Sequence, residues 1–487
     1  MAVSRCSSSF LAAPIFALLI GLAPVALAEG LPDLGESAQS DLPPLMEKRI
    51  GESIMRDIRL REPSYLDDPE IDAYLNRLGR KLTAQSEVPG QDFEFFALRD
   101  ATLNAFAMPG GYIGVHTALI MAAQSESELA GVLAHEISHV TQRHLARMVN
   151  KQSQGQMAAL LSLAVAILAA RSNPDVALGA AVAGQAAGLQ QQLNSSRDFE
   201  READRLGLQV LEKAGYDIRG MGTFFERLQK FGRLYENNAP GYLRTHPLTT
   251  ERIADMENRI QMRPYRQIPD SMEFLLVRAK LRSQQGTAQD AVIDFETQVN
   301  ERKSASEPAS RYGLALAYLR DKRFTAAEGQ LAELRRLKAV SPMIDVLAAD
   351  LRRKQNDVVG AARILREAVV RYPDNRAIAY AWVEGLLASQ RLDEALKFVS
   401  ADVQSHTTDY RMRGLQAKVY ALQGKRLRQH WAQGEAYALQ GLLLPAIEQL
   451  QLAQKSPDGD FYERSQIDAR LREVKAKQAE EAKLKKP

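Results

Sequence analysis

The sequence predicts a mostly α-helical chain in two parts, a small α+β unit followed by an α-solenoid of paired helices. Three observations carry this. Long stretches rich in Ala, Leu, Arg, Gln and Glu favour helix. Short apolar runs with strand composition cluster between residues 92 and 116. Beyond about Ser271, small residues recur every 34 positions, as paired helices that cross closely require. At 487 residues the chain also exceeds one typical core, so two or three domains are expected.

The N-terminus up to Ala28 reads as a signal peptide. Arg5 supplies a short positive region, Phe10 to Leu22 an apolar core, and Ala26-Leu27-Ala28 a small-x-small cleavage site. Cleavage after Ala28 is expected. An uncleaved anchor is the alternative, although the apolar run is short for a span. Cys6, the single cysteine, would leave with the leader, so the mature chain would carry no thiol and no disulfide. Net charge is only +3 and aromatics make up 7%, which gives no sign of a nucleic-acid-binding surface.

Residues 29–46 are polar with Pro, Gly and Ser, and read as a flexible lead-in. Residues 47–265 form the α+β unit. Asp92 to Leu98 and Asn104 to Met108 are strand candidates. Pro109-Gly110-Gly111 turns the chain, and Tyr112 to His116 returns antiparallel. Glu126 to Val149 has the pattern of one long helix, with Ser125 as its N-cap. Met157 to Ala170 carries no charge and, with the Ala/Gly-rich stretch after it, suggests a helical hairpin. That hairpin is either packed in the core or touches a membrane surface or substrate. From 271 to 472 the texture is that of tetratricopeptide repeats: Ala327, Ala361 and Ala395 stand one such period apart, with aromatics beside them. A non-repeating bundle is the alternative. Residues 473–487 read as a charged tail, frayed from its helix.

The chemistry lies in His135-Glu136-Ile137-Ser138-His139. Residues four apart share a helix face, so His135 and His139 can aim their imidazoles at one metal. Glu136 lies one position round, within reach of a water at an open coordination position. Two ligands, a carboxylate base and an open position make the zincin arrangement, and one Zn2+ per chain is expected. The first part is therefore read as an α+β zincin-type metallopeptidase domain. A solvated helix face with two histidines is the plain alternative.

Zinc needs a third protein ligand. Gln142 and Leu145 stand where the metzincin motif would have its glycine and its third-ligand histidine. His144 lies about 140° from His139 on a continuous helix and reads as a surface or supporting residue. The better candidate is downstream, in Phe199-Glu200-Arg201-Glu202-Ala203-Asp204. There Glu200 and Asp204 share a face: Glu200 could bind zinc and Asp204 accept the N–H of a liganding histidine. Spacing alone fits an ordinary solvated acidic face equally well.

His-Glu-Ile-Ser-His, the later Glu-x-x-Ala-Asp, and the stretch from Asn104 to Ile113 together resemble the metallopeptidase family of the CAAX prenyl proteases and bacterial heat-shock membrane proteases. The resemblance implies zinc on His135, His139 and Glu200, with Glu136 as base and Asp204 in support. It also implies that Asn104, Ala105, Phe106, Ala107 and Met108 hold substrate as an extended strand, where the residues alone fit a core hairpin. Repeats and an exported leader set this chain apart from those membrane-spanning relatives. They liken it to a periplasmic branch in Gram-negative bacteria that carries a His-Pro loop able to cover the zinc, here His246-Pro247.

The implied function is a periplasmic zinc endopeptidase, with chaperone activity, that promotes outer-membrane β-barrel assembly and degrades misassembled barrels. Its substrates would be unfolded or stalled outer-membrane proteins, and its repeats would dock the outer-membrane assembly machinery. The competing function is a repeat-based chaperone or assembly adaptor with a largely silent peptidase site. His246 is either an inhibitory fourth ligand or a stabiliser of the tetrahedral oxyanion.

Overall fold

The computed structural model describes residues 42–149, 186–234, 241–301 and 306–484. The leader, most of the lead-in and all but the last few residues of the 157–190 hairpin lie outside the described residues.

Helix α1 (Pro44–Arg61) opens on a proline at its first turn, whose missing N–H costs nothing there. The last residues of the expected lead-in are thus already helical, anchored by the buried side chain of Leu42. Helix α2 (Pro69–Thr83) is capped by the Asp68 carboxylate, which accepts from the backbone of Glu70 and Ile71. Strands β1 (Glu94–Leu98), β2 (Ala105–Met108) and β3 (Tyr112–His116) form one sheet in the order β1-β3-β2. β2 and β3 pair antiparallel across the Pro109–Gly111 turn, as expected, whereas β1 and β3 are parallel.

Alternation sorts the strands' side chains onto two faces. Phe96, Leu98, Phe106 and Met108 pack against Ile54, Met55 and Ile58 of α1. Phe95, Ala97, Ala105, Ile113 and Val115 face the main core. Each fully buried Phe or Ile contributes about 1.5–3 kcal/mol. Gly114 is required where it stands, because a Cβ there would lie 2.4 Å from the ring of Phe106.

Helix α3 (Thr117–Ala122) leads into α4 (Glu126–Thr141), which runs through the core with every residue from Glu126 to Ser138 buried. Ser125 caps it by accepting from Glu128 N–H. The single long helix expected to Val149 is broken: Arg143 adopts φ 53°, and α5 (His144–Val149) sets off in a new direction. Arg143 is held there by Glu47, 3.2 Å away, and by the carbonyl of Leu42. Helix α6 (Ala186–Lys213) lies along α4, with α7 (Arg219–Leu234), the short α8 (Gly241–Thr245) and α9 (Thr250–Gln261) completing this part.

Twelve helices follow among the described residues, from α10 (Met272–Ser283) and α11 (Ala288–Asn300) to α20 (Leu443–Lys455) and α21 (Phe461–Leu484). Four of them begin at Phe324, Val358, Leu392 and Arg426, each one repeat period after the one before. Ala327, Ala361 and Ala395 are buried where these helices cross their partners. The chain is thus mostly α, an α+β unit with a helical repeat region.

The two parts share one core, since a single buried apolar cluster reaches from Leu66 to Leu351. The boundary expected at 472/473 falls inside α21, which continues to Leu484. Its charged end is not free, because Glu480 and Glu481 pair with Arg49 and Arg56 of α1 at 2.8 and 2.7 Å. Between α2, β1 and the later repeats lies a cleft of about 1040 Å³, lined by Tyr65, Arg80, Arg376, Tyr380 and Arg411 among others. No helix among the described residues is long and apolar enough to cross a membrane.

Candidate active site

Three elements converge on one point. α4 carries His135, Glu136 and His139; α6 carries Glu200 and Asp204; the turn after α8 carries His246. The close approach of α6 to α4 depends on Gly207, where a Cβ would stand 3.1 Å from the backbone nitrogen of His135. One ligand atom from each of His135, His139, Glu200 and His246 lies within 4.8 Å of the other three.

The spacing of these donors is that of a metal cage. His135 Nε2 lies 3.0 Å from His139 Nε2, and each lies 3.4 Å from a Glu200 oxygen. His246 Nδ1 sits 3.0 Å from Glu200 Oε1 and 3.4 Å from His135 Nε2. A tetrahedral ion with bonds of about 2.0–2.1 Å separates its ligand atoms by about 3.3–3.4 Å. The charge also fits: of three buried acidic side chains (Glu136, Glu200, Asp204), Glu200 and Asp204 pair with the Arg252 guanidinium, which leaves two formal negative charges for a dication.

The electrostatics agree. Burial opposes charge on His135, yet Asp204 and Glu200 outweigh it and raise the ring to about 9. Burial and the neighbouring His135 hold His139 well below the usual histidine range. Burial also opposes ionisation of Asp204, but Arg252 and His135 keep it below its ordinary value. The carboxylates thus make this point favourable to positive charge.

Asp204 Oδ1 lies 3.0 Å from His135 Nδ1, close behind the ring though not aligned as a hydrogen bond. Glu136 is fully buried, and both its oxygens lack a hydrogen-bond partner, a costly state unless a further group enters the site. His246 Nε2 lies 3.5 Å from Glu136 Oε1. His246 stacks on Tyr242 at 4.6 Å and stands 5.1 Å from the rings of both His135 and His139. β2 lies at the end of the sheet, bonded to β3 on one side. Just before it, the Leu103 carbonyl accepts from Tyr242 N–H at 3.1 Å, tying the β2 approach to the His246 turn. His135, Glu136, His139, Glu200, Asp204 and His246 thus come together here, whereas Phe106 and Met108 of β2 pack against α1.

A model of peptidase family M48 matches residues 69–260, the part that holds all of these side chains. The beta-barrel assembly-enhancing protease of Escherichia coli (strain K12) is 31% identical over 470 residues, 95% of each chain. The chain belongs to peptidase family M48. A Vibrio cholerae relative is 39% identical over 306 residues, an alignment covering 62% of this chain and 63% of that protein. The mitochondrial metalloendopeptidase OMA1 of Arabidopsis thaliana is 34% identical over 199 residues, 40% of this chain and 38% of its own. This M48 protein is a zinc metalloendopeptidase, and bound zinc supplies the Lewis acid that polarises a peptide carbonyl and activates a water.

The sequence reading missed Arg252, and of its two alternatives for His144 the surface one does not hold. Arg252 is buried, and its Nε and Nη2 donate to the two oxygens of Asp204 at 2.7 and 2.8 Å. Its Nη1 donates to the Pro247 carbonyl at 2.7 Å, beside His246. Nothing local marks this arginine; it is one of many on helical surfaces. His144 is not at the surface but 1% exposed, because the helix assumed continuous ends at Thr141 and the chain folds back at Arg143.

Proposed function

We propose that His135, His139 and Glu200 hold the zinc and that Glu136 is the general base. Glu136 takes a proton from the attacking water and passes it to the departing amine. Its burial without a partner, in a wall of imidazoles, supports this role. Asp204 fixes the Nε2-binding tautomer of His135. The edge of β2 turned away from β3, Ala105 to Met108 with Asn104 before it, receives an extended peptide by backbone pairing.

His246 covers the site as a fourth ligand, so the resting enzyme has no place for the attacking water. The observation that carries this reading is His246 Nδ1 lying 3.0 Å from Glu200 and 3.4 Å from His135, as a ligand atom would. Arg252 and Tyr242 hold the covering turn in place. Displacing that turn on substrate entry would start catalysis.

The biological role follows from relatives named for barrel assembly that match nearly the whole chain. We infer a periplasmic enzyme, exported by a leader cleaved after Ala28, that promotes outer-membrane β-barrel assembly and degrades misassembled barrels. Its substrates are unfolded or stalled outer-membrane proteins. The helical pairs are tetratricopeptide repeats that dock substrate or the assembly machinery, and the covered zinc suits a protein that also acts as a chaperone while its peptidase rests.

The test is casein cleavage and zinc content of the mature protein and its variants. Glu136→Gln should retain zinc and lose cleavage by about 10²–10⁴-fold. His246→Ala should raise basal proteolysis and self-cleavage, and Glu136→Gln added to it should abolish both. Loss of activity in His246→Ala with zinc retained would instead assign His246 to the oxyanion. Full zinc and full activity in Glu200→Ala would remove Glu200 from the ligand set.

A further inference from the structure

His139 is proposed as a zinc ligand through Nε2, and a histidine that binds through Nε2 carries its proton on Nδ1. That proton needs an acceptor. For His135 the expected partner is Asp204. For His139 nothing in the sequence reading supplied one. The structure places His144 Nδ1 3.0 Å from His139 Nδ1. On its far side, His144 Nε2 lies 3.0 Å from Glu202 Oε2, and the same oxygen accepts from Arg147 Nη1 at 2.9 Å.

We propose that His144 is a positioning residue: its Nδ1 accepts the Nδ1–H of His139 and its Nε2–H is donated to Glu202, which holds the His139 ring with Nε2 toward the metal. The inference rests on His139 being a ligand, as argued above. Only one pair of neutral tautomers satisfies every contact. If His144 carried its proton on Nδ1, two N–H groups would face each other at 3.0 Å and a ring lone pair would face the Glu202 carboxylate.

The surroundings fix the ring mechanically. His144 stacks on Phe199 with centroids 4.5 Å apart and planes 18° from parallel. The Arg147 guanidinium also lies against the Phe199 ring, 4.6 Å from its centroid. Phe199 and Glu202 flank Glu200 on α6, so the same helix turn that presents the third ligand also supports the second. The positive φ of Arg143 has its use here: left-handed backbone is unfavourable for a non-glycine residue, and the turn it makes brings His144 back beneath His139.

The experiment uses the full mature chain. Zinc affinity is read by competition with a chromophoric chelator for wild type, His144→Phe, His144→Asn and His139→Ala. Phe keeps the flat ring on Phe199 but offers no acceptor; Asn places an amide oxygen near the Nδ1 position. His144→Phe should weaken zinc binding about 10–100-fold, the usual effect of losing a partner behind a ligand, and His144→Asn should recover most of it. Equal zinc affinity in wild type and His144→Phe would overturn the proposal, as would an Asn variant no better than Phe.

A second readout needs no variant: ¹⁵N-histidine NMR of the zinc-loaded wild type should show His144 protonated at Nε2 and bare at Nδ1. The opposite tautomer overturns the proposal even if the variants fail to fold. His139→Ala separates the two readings. If it keeps its zinc, the ligand assignment has failed, whatever His144 does.

Discussion

Arg252 joins three groups: Asp204 behind His135, the Pro247 carbonyl beside His246, and Glu200 Oε2 at 2.9 Å. Buried guanidinium–carboxylate pairs gain little net energy when formed but are costly to break, because the survivor stays buried and unpaired. Arg252→Met is therefore expected to lower stability by about 3–5 kcal/mol, read by denaturant unfolding in the presence of excess zinc. Arg252→Lys should recover only part of this, because one ammonium cannot reproduce a bidentate contact. A loss below about 1 kcal/mol in the Met variant would mean that Asp204 finds another partner.

The repeating helices owe their period to backbone turns as much as to side chains. Lys322, Asn356, Gln390 and Gly424, again one period apart, all have φ between 58° and 72°. After each, an N–H bonds back five positions: Arg323 to Tyr318, Asp357 to Arg352, Arg391 to Leu386 and Lys425 to Tyr420, at 2.8–3.0 Å. This is the Schellman closure, which satisfies the last carbonyls of a helix and which glycine accommodates best. The same substitution site in different repeats should thus respond with opposite signs. Gln390→Gly is expected to stabilise by about 0.5–1 kcal/mol, and Gly424→Ala, where a Cβ meets nothing, to destabilise by about 1–2 kcal/mol through φ alone. Thermal unfolding measures both, and equal signs would refute the backbone account.

Across the whole molecule the repeats are strapped to the peptidase part at both ends. At the near end, Ser271 and Asp270 hydrogen-bond Glu126 at the start of α4, and Lys280 pairs with Asp68 and Glu70. At the far end, Arg411 pairs with Asp67 and Asp72, while Arg56 reaches Glu481 and the Gly441 carbonyl. Apart from Asp67 these side chains are largely buried, so removing the arginines leaves carboxylates partly buried and unpaired and should loosen the far strap. Arg56→Ala with Arg411→Ala is expected to raise deuterium exchange in α21 and α1 while leaving zinc content unchanged. Unchanged exchange would show that apolar contacts alone hold the end in place. Because one core passes through Phe274 and Tyr312 into the peptidase part, a fragment cut at Ser271 should be less stable than the same helices in the full chain.

Legible from the residues alone were the features that local geometry repeats. Helix periodicity puts His135 with His139 and Glu200 with Asp204. Strand alternation and Pro109-Gly110-Gly111 mark the β2–β3 pair, and the regular return of small residues marks the helical pairs. Packing decided the rest. Arg252 meets Asp204 across 48 positions and His135 meets His246 across 111, separations that no period encodes. Between surface and supporting places for His144 the sequence could not choose, because the pattern of α4 continues past Thr141, whereas contacts from Glu47 and Leu42 hold Arg143 in the turn that breaks the helix. The parallel pairing of β1 with β3 and the docking of α21 on α1 likewise depend on distant partners, whose competing energies a linear pattern does not record.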